Sequence, residues 1–184
     1  MRWRNWRDGF FGPITDLLVR YGFSATHLSV AGLCMVLPFL FFFTFNPWLS
    51  FIFLLLNVFF DSLDGPLARK KGLPESNGSV IDFACDHIGF FAIFMTFFYY
   101  QLLSPFWGAL YLVNYSILLS MVIFCRILKI KFFPVVRSKY YIFMIFFIWL
   151  VSGCNFFDAV LVFFTVYMVV TNFFLFDRIR CSIR

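Results

Sequence analysis

Four aspartates, Asp61, Asp64, Asp82 and Asp86, fall within 26 positions of a 184-residue chain that has only nine acidic residues. Asp61 and Asp64 are three residues apart, Asp82 and Asp86 four apart. On a helix either spacing puts both carboxylates on one face. Between the pairs lies a short linker, KKGLPESN, with Gly72 and Pro74 as breakers and Gly78, a third, directly after it. Two antiparallel helices joined this way would aim four carboxylates at one point. Such a cluster repels itself in a partly dry site unless positive charge compensates it. Arg69 is one source of that charge. A divalent cation is a better one, because hard oxygen ligands suit Mg²⁺, Mn²⁺ or Ca²⁺. Two such ions would neutralise the four charges and leave coordination positions for phosphate oxygens. Single acidic residues at helix ends are often merely solvated, but carboxylates set into membrane helices are functional by default.

The elements that must position these groups are apolar helices. The chain is 62% hydrophobic, 13% charged and has a mean hydropathy of +0.90. Soluble domains carry about 25% charged residues. A water-soluble fold cannot hide this much apolar surface, so the composition predicts an integral membrane protein of all-α class. Most of the 32 phenylalanines read as lipid-facing. Six runs qualify as spans: Leu28 to Phe45, Trp48 to the Asp61 motif, Val80 to Leu103, Phe106 to Ile127, Tyr140 to Ser152, and Ala159 to Phe176. The predicted fold is a single domain over residues 1–184. Residues 1–25 form a juxtamembrane interfacial helix, and the six transmembrane helices lie within 28–176. Five scattered cysteines with no CxxC pair point to neither disulfides nor zinc.

The Lys and Arg residues sort by segment. They precede the first run, follow the second, separate the fourth from the fifth, and follow the sixth. With six spans all four segments share one side. The positive-inside rule then makes both termini, and the face carrying the aspartates, cytoplasmic. The net charge of +6 is accounted for by topology and anionic lipid, with no nucleic-acid partner. Arg residues mixed with Trp3, Trp6, Phe10 and Phe11 suit a segment lying in the membrane interface. A signal peptide fits less well, since no small-residue cleavage site follows.

The small residues around the carboxylates complete a pattern. Gly65 and Ala68 share the face of Asp61 and leave room for a ligand, and Gly78 opens the face of Asp82 one turn ahead of it. Pro66 removes the helical hydrogen bond to the Ser62 carbonyl. Together the residues spell D-x2-D-G-x2-A-R-x8-G-x3-D-x3-D, from Asp61 to Asp86. This resembles the signature of the CDP-alcohol phosphatidyltransferase family at every fixed position. The resemblance implies transfer of a phosphatidyl or phospho-alcohol group from a CDP-linked donor to an alcohol, with release of CMP. It implies two divalent cations, Mg²⁺ or Mn²⁺, held by Asp61, Asp64, Asp82 and Asp86. Asp86 would also serve as general base on the acceptor hydroxyl. Gly65, Ala68, Arg69 and Gly78 would line the nucleotide pocket. A homodimer is also implied. One departure stands upstream: where many members carry S-P-N-x-(I/L)-T, this chain has Ala25, Thr26 and Ser29 at the Pro, Asn and Thr positions. A helix cap at Ser24 accounts for the SAT stretch equally well.

His87 points about 100° around the helix from Asp86 and reads as a packing residue rather than a ligand. The basic segment CRILKIKFFPVVRSKYY offers Arg126, Lys131, Arg137 and Lys139 for a phosphorylated acceptor such as glycerol 3-phosphate or inositol phosphate. The donor expected in a bilayer is CDP-diacylglycerol. A divalent-cation transporter is the alternative from another class. Against it, the aspartates sit at one membrane face, and only Asn114, Ser116 and Ser120 continue a polar path.

Overall fold

The computed structural model describes residues 11–71, 79–128, 130 and 135–183. They form α1 (Gly12–Arg20), α2 (Ala25–Cys34), α3 (Val36–Phe43), α4 (Pro47–Lys70), α5 (Ser79–Tyr99), α6 (Pro105–Ile127), α7 (Lys139–Ser152) and α8 (Phe157–Ile183), with no strand among the described residues. The chain clusters into two compact units, Met1–Ile93 and Phe94–Arg184.

In the first unit α1, α2 and α3 pack on α4. The first predicted span is two helices, interrupted at Met35. Pro38 supplies the cause: it has no N–H for the Cys34 carbonyl, and its ring crowds that position. The Met35 N–H is shared between the Ala31 and Gly32 carbonyls at 3.1 Å each, closing the last turn of α2. Asn46 stops α3 and starts α4, its side-chain oxygen accepting from the Trp48 and Leu49 N–H groups at 3.1 Å each, with Pro47 preset for the first turn. α4 stays helical through Pro66 to Lys70. At that end α1 is strapped on: the Lys70 ammonium donates to the Gly12 carbonyl at 2.8 Å and pairs with Asp16 at 2.7 Å. Phe11, Leu18 and Val19 pack against Leu63 and Leu67 beneath it. Ile14, Leu17 and Tyr21 share another face of α1 and are exposed.

In the second unit α6 and α7 pack along α8. Phenylalanines build its interior: Phe97 meets Phe146 at 5.2 Å and Phe157 at 5.1 Å between ring centroids, and Phe94 stacks on Tyr111 at 5.4 Å. These rings are fully buried, so the lipid-facing reading applies to outward ones such as Phe106, Phe163 and Phe173. α8 shows both faces: Leu161, Phe164, Met168 and Leu175 are buried, whereas Phe163, Val166, Val170 and Phe173 are exposed. An apolar stripe turned outward along a whole helix has no place in water, and the chain is an integral membrane protein. Two loops are stitched at one end of this unit. The Asn155 amide donates to the Leu102 carbonyl at 2.9 Å, and Asp158 accepts from the Ser104 N–H at 2.8 Å.

Five helical segments are long and apolar enough to cross a bilayer: Ala25–Phe43, Pro47–Lys70, Ile81–Tyr99, Pro105–Cys125 and Phe157–Ser182. The sixth expected span, α7, has 14 helical residues. At about 1.5 Å per residue it rises roughly 21 Å, short of a hydrocarbon core about 30 Å thick. α8 runs past its predicted end at Phe176 through Arg178 and Arg180.

Candidate active site

The end of α4 and the start of α5 bring the motif together. Asp61 and Asp64 lie near the C-terminal end of α4, interleaved in sequence with buried Leu63 and Leu67. Asp82 lies in the first turn of α5, where the helix dipole favours an anion. Carboxylate oxygens of Asp61, Asp64 and Asp82 all fall within 4.8 Å of one another. All three groups are half-buried. One oxygen of Asp64 accepts from the Gly65 N–H. The other, Oδ2, is buried with no hydrogen-bond donor among the described residues. A buried carboxylate oxygen without a donor, beside two further carboxylates, fits a hard divalent cation. The donor set is all oxygen, which suits Mg²⁺ or Mn²⁺ better than a thiolate-seeking metal.

Asp86 follows Asp82 by one turn on α5. It is half-buried and lines a small cavity with Asp61, Asp82, Cys85, Ser29, Gly32, Leu33 and Asn57. Gly65, Ala68 and Arg69 follow on α4 and are half-buried, Arg69 in the last turn where the dipole favours a cation. Gly78 lies outside the described residues. His87 stacks on the Phe83 ring at 5.9 Å, a packing arrangement.

Ser24 caps α2: its hydroxyl accepts from the His27 N–H at 3.2 Å, and His27 Nδ1 accepts from the Ser24 N–H at 3.3 Å. The helix-cap reading of this stretch therefore holds. Ser29 does something the sequence reading missed. Its hydroxyl lies 3.2 Å from Asp82 Oδ1. Asn57, one turn before Asp61, donates its amide to the Gly32 carbonyl at 2.9 Å. α4 and α2 lie close at residue 32, where a Cβ would stand in van der Waals contact with the Phe60 Cβ at 3.4 Å. Ser29 stands at the Thr position of the family's upstream run, but its contact with Asp82 has no local signature, and a lone asparagine such as Asn57 in an apolar helix carries no spacing signal, so only the fold exposes these contacts.

Of the basic acceptor candidates, Lys131 lies outside the described residues, and Arg126 is described only by its place in the last turn of α6. Arg137 is exposed and donates to the Tyr140 hydroxyl at 3.3 Å. Lys139 is buried at the first position of α7, its ammonium 5.3 Å from the centre of the Tyr140 ring. Beside it, Ser138 shares a 2.8 Å hydrogen bond with the buried Tyr111 hydroxyl.

The sequence profile of the CDP-alcohol phosphatidyltransferases matches residues 23–175. The chain belongs to the CDP-alcohol phosphatidyltransferase family. It is a transferase, and its matched region includes the whole aspartate motif. Among solved structures it is similar to Mycobacterium tuberculosis phosphatidylinositol phosphate synthase (PgsA1) with CDP-DAG bound, at 18% identity and a TM-score of 0.70, covering 92% of each chain. The apo form of that synthase gives 19% identity and a TM-score of 0.70, over 91% of this chain and 94% of that one. No curated protein sequence matches the chain. At such identities the likeness carries the fold of this phosphatidyltransferase, and its chemistry rests on the family and on the site residues.

Proposed function

We propose that this phosphatidyltransferase uses divalent cations to move a phosphatidyl group from CDP-diacylglycerol to a phosphorylated polyol, releasing CMP. The observation that carries the reading is the convergence of the Asp61, Asp64 and Asp82 carboxylates within 4.8 Å. These three, with Asp86 completing the site, would hold two Mg²⁺ or Mn²⁺ ions. Bound there, the cations neutralise pyrophosphate charge and stabilise the departing CMP. Gly65, Ala68, Arg69 and Gly78 line the nucleotide pocket, the glycines and alanine leaving space and Arg69 pairing with phosphate. Asp86 takes the proton of the acceptor hydroxyl as its oxygen attacks phosphorus. The phosphorus–oxygen bond to CMP breaks, CMP leaves with the electron pair, and the proton passes to water.

CDP-diacylglycerol as donor draws support from the related synthase, whose structure holds that nucleotide lipid. A phosphorylated acceptor draws support from α7. Lys139 is buried at a helix N-terminus, where the dipole is also positive, and Arg137 lies two residues before it. That accumulation of positive charge suits an anion. Arg126 and Lys131 extend the same basic segment. Inositol phosphate and glycerol 3-phosphate are examples of acceptors that fit this reading.

The Lys and Arg distribution supports both termini and the site at the cytoplasmic face, a topology that needs the 14-residue α7 to cross as a sixth, short span where the bilayer thins locally; α1 lies in the interface with Ile14, Leu17 and Tyr21 toward lipid. The active form is a homodimer. The transporter alternative finds no path to build on: Asn114, Ser116 and Ser120 each donate to a carbonyl of their own helix.

The test is CMP release by the purified protein given CDP-diacylglycerol, Mn²⁺ or Mg²⁺ and a panel of alcohols, with the lipid product identified. CMP formation requiring both a divalent cation and a phosphorylated polyol is expected. Turnover that persists in chelator, or Asp86→Asn turning over at the wild-type rate, refutes the assigned roles.

A further inference from the structure

We infer that Ser29 is a positioning residue for the metal-binding carboxylates, holding Asp82 through its hydroxyl and making α2 a brace between the two ligand-bearing helices. The inference rests on the metal-site reading above and deepens it. Asp61 and Asp64 ride on α4 and keep their mutual register through one helix. Asp82 rides on α5, so its carboxylate meets the other two only if α5 and its side-chain rotamer are fixed from outside.

Ser29 supplies that fixing. It is 6% exposed, on the second turn of α2. Its oxygen lies 3.1 Å from the Ala25 carbonyl and 3.2 Å from Asp82 Oδ1. The hydroxyl has one proton to give. The Ala25 carbonyl belongs to the helical ladder, whereas an ionised carboxylate is the stronger acceptor. The proton therefore goes to Asp82, which pins one carboxylate oxygen and leaves its partner for a cation. Three residues further along α2, the Gly32 carbonyl receives the Asn57 amide from α4 at 2.9 Å. Asn57 is one turn before Asp61. Two side-chain bonds thus run from α5 to α2 and from α2 to α4, and both end beside a cation ligand. Ser29, Gly32 and Asn57 line the same small cavity as Asp61, Asp82 and Asp86. Hydrogen bonds to ligating carboxylates of this kind are worth about 10–100-fold in metal affinity.

The experiment is Mn²⁺ titration of the purified protein by calorimetry, without nucleotide or acceptor, followed by CMP release as a function of Mn²⁺. Ser29→Ala is expected to bind Mn²⁺ at least about 10-fold more weakly. It should regain most of its kcat at saturating Mn²⁺, while Ser29→Thr, which keeps the hydroxyl, binds as wild type does. Wild-type affinity in Ser29→Ala overturns the inference. So does an equal loss in Ser29→Ala and Ser29→Thr, which marks a packing role. Should Ser29→Ala fail to fold, Ser29→Cys, similar in size and a poor donor, is read the same way. Absence of Mn²⁺ binding by the wild type itself overturns the metal reading along with this one, and is told apart from the other outcomes by that control.

Discussion

Removing a charge from the aspartate trio is expected to stabilise the metal-free protein while destroying its function. The three carboxylates lie within 4.8 Å of one another. Two unit charges at that separation repel by about 3.5 kcal/mol at an effective dielectric of about 20. Asp64→Asn deletes two of the three pairs and keeps an oxygen for the Gly65 N–H. The metal-free cluster relieves part of this repulsion by holding a proton, and water and ions screen the more accessible oxygens, so the net gain is at most about 2 kcal/mol rather than the full sum. For a chain of this length that raises Tm by at most roughly 4–8 °C. The assay is thermal unfolding in detergent with EDTA and again with millimolar Mn²⁺. Wild type should unfold early in EDTA and gain stability with Mn²⁺. Asp64→Asn should unfold later in EDTA, ignore Mn²⁺, and release no CMP. If Asp64→Asn melts at or below the wild-type temperature in EDTA, the carboxylates are not under mutual repulsion and the electrostatic account is wrong.

The other motif and packing residues give separable outcomes. Asp86→Asn should keep most of the Mn²⁺-induced rise in Tm yet lose about 10²–10⁴-fold in CMP release, as measured in the two assays side by side. Gly32→Ala should stay near wild type, since the added Cβ meets Phe60 at 3.4 Å; Gly32→Leu should cost about 1–3 kcal/mol by forcing α2 from α4, read as a lowered Tm. Lys139→Ala should raise the KM for a phosphorylated acceptor more than the KM for CDP-diacylglycerol, and equal effects on both would remove the acceptor assignment. Asn155→Ala should lower Tm by about 2–4 °C, because it releases both the Phe157 N–H and the Leu102 carbonyl, and leave the Mn²⁺ response intact.

What the sequence made legible was periodic. Asp61, Asp64 and Asp82 could be placed together because helical spacing fixes a face and a short linker fixes the neighbour. α7 is the expected span that helix length does not support by itself: its apolar run, Tyr140 to Ser152, is shorter than the other five, and hydropathy does not report where the helix begins. The interruption at Met35 follows from Pro38, but a continuous apolar run conceals it. The partners of Ser29 and Asn57 were hidden for a different reason, although Ser29 stands at the Thr position of the family's upstream run. Their partners are 53 and 25 residues away, and nothing local distinguishes a serine that back-bonds its own helix from one that braces a carboxylate. The lipid-facing reading of phenylalanine failed for Phe39, Phe94 and Phe97, since buried and outward rings share one residue type and only the packing separates them.

The strap at the end of α4 has a bearing on how the chain is made. Gly12 and Lys70 are 58 residues apart in sequence, so α1 leaves the ribosome long before its anchor exists. Until Leu63, Leu67 and Lys70 have been synthesised, the apolar faces of a nine-residue helix have no protein to cover them. A helix that short does not persist alone in water. On the interfacial placement proposed for α1, the bilayer surface would be its first partner, holding the segment ready until the motif helix arrives to claim one face of it.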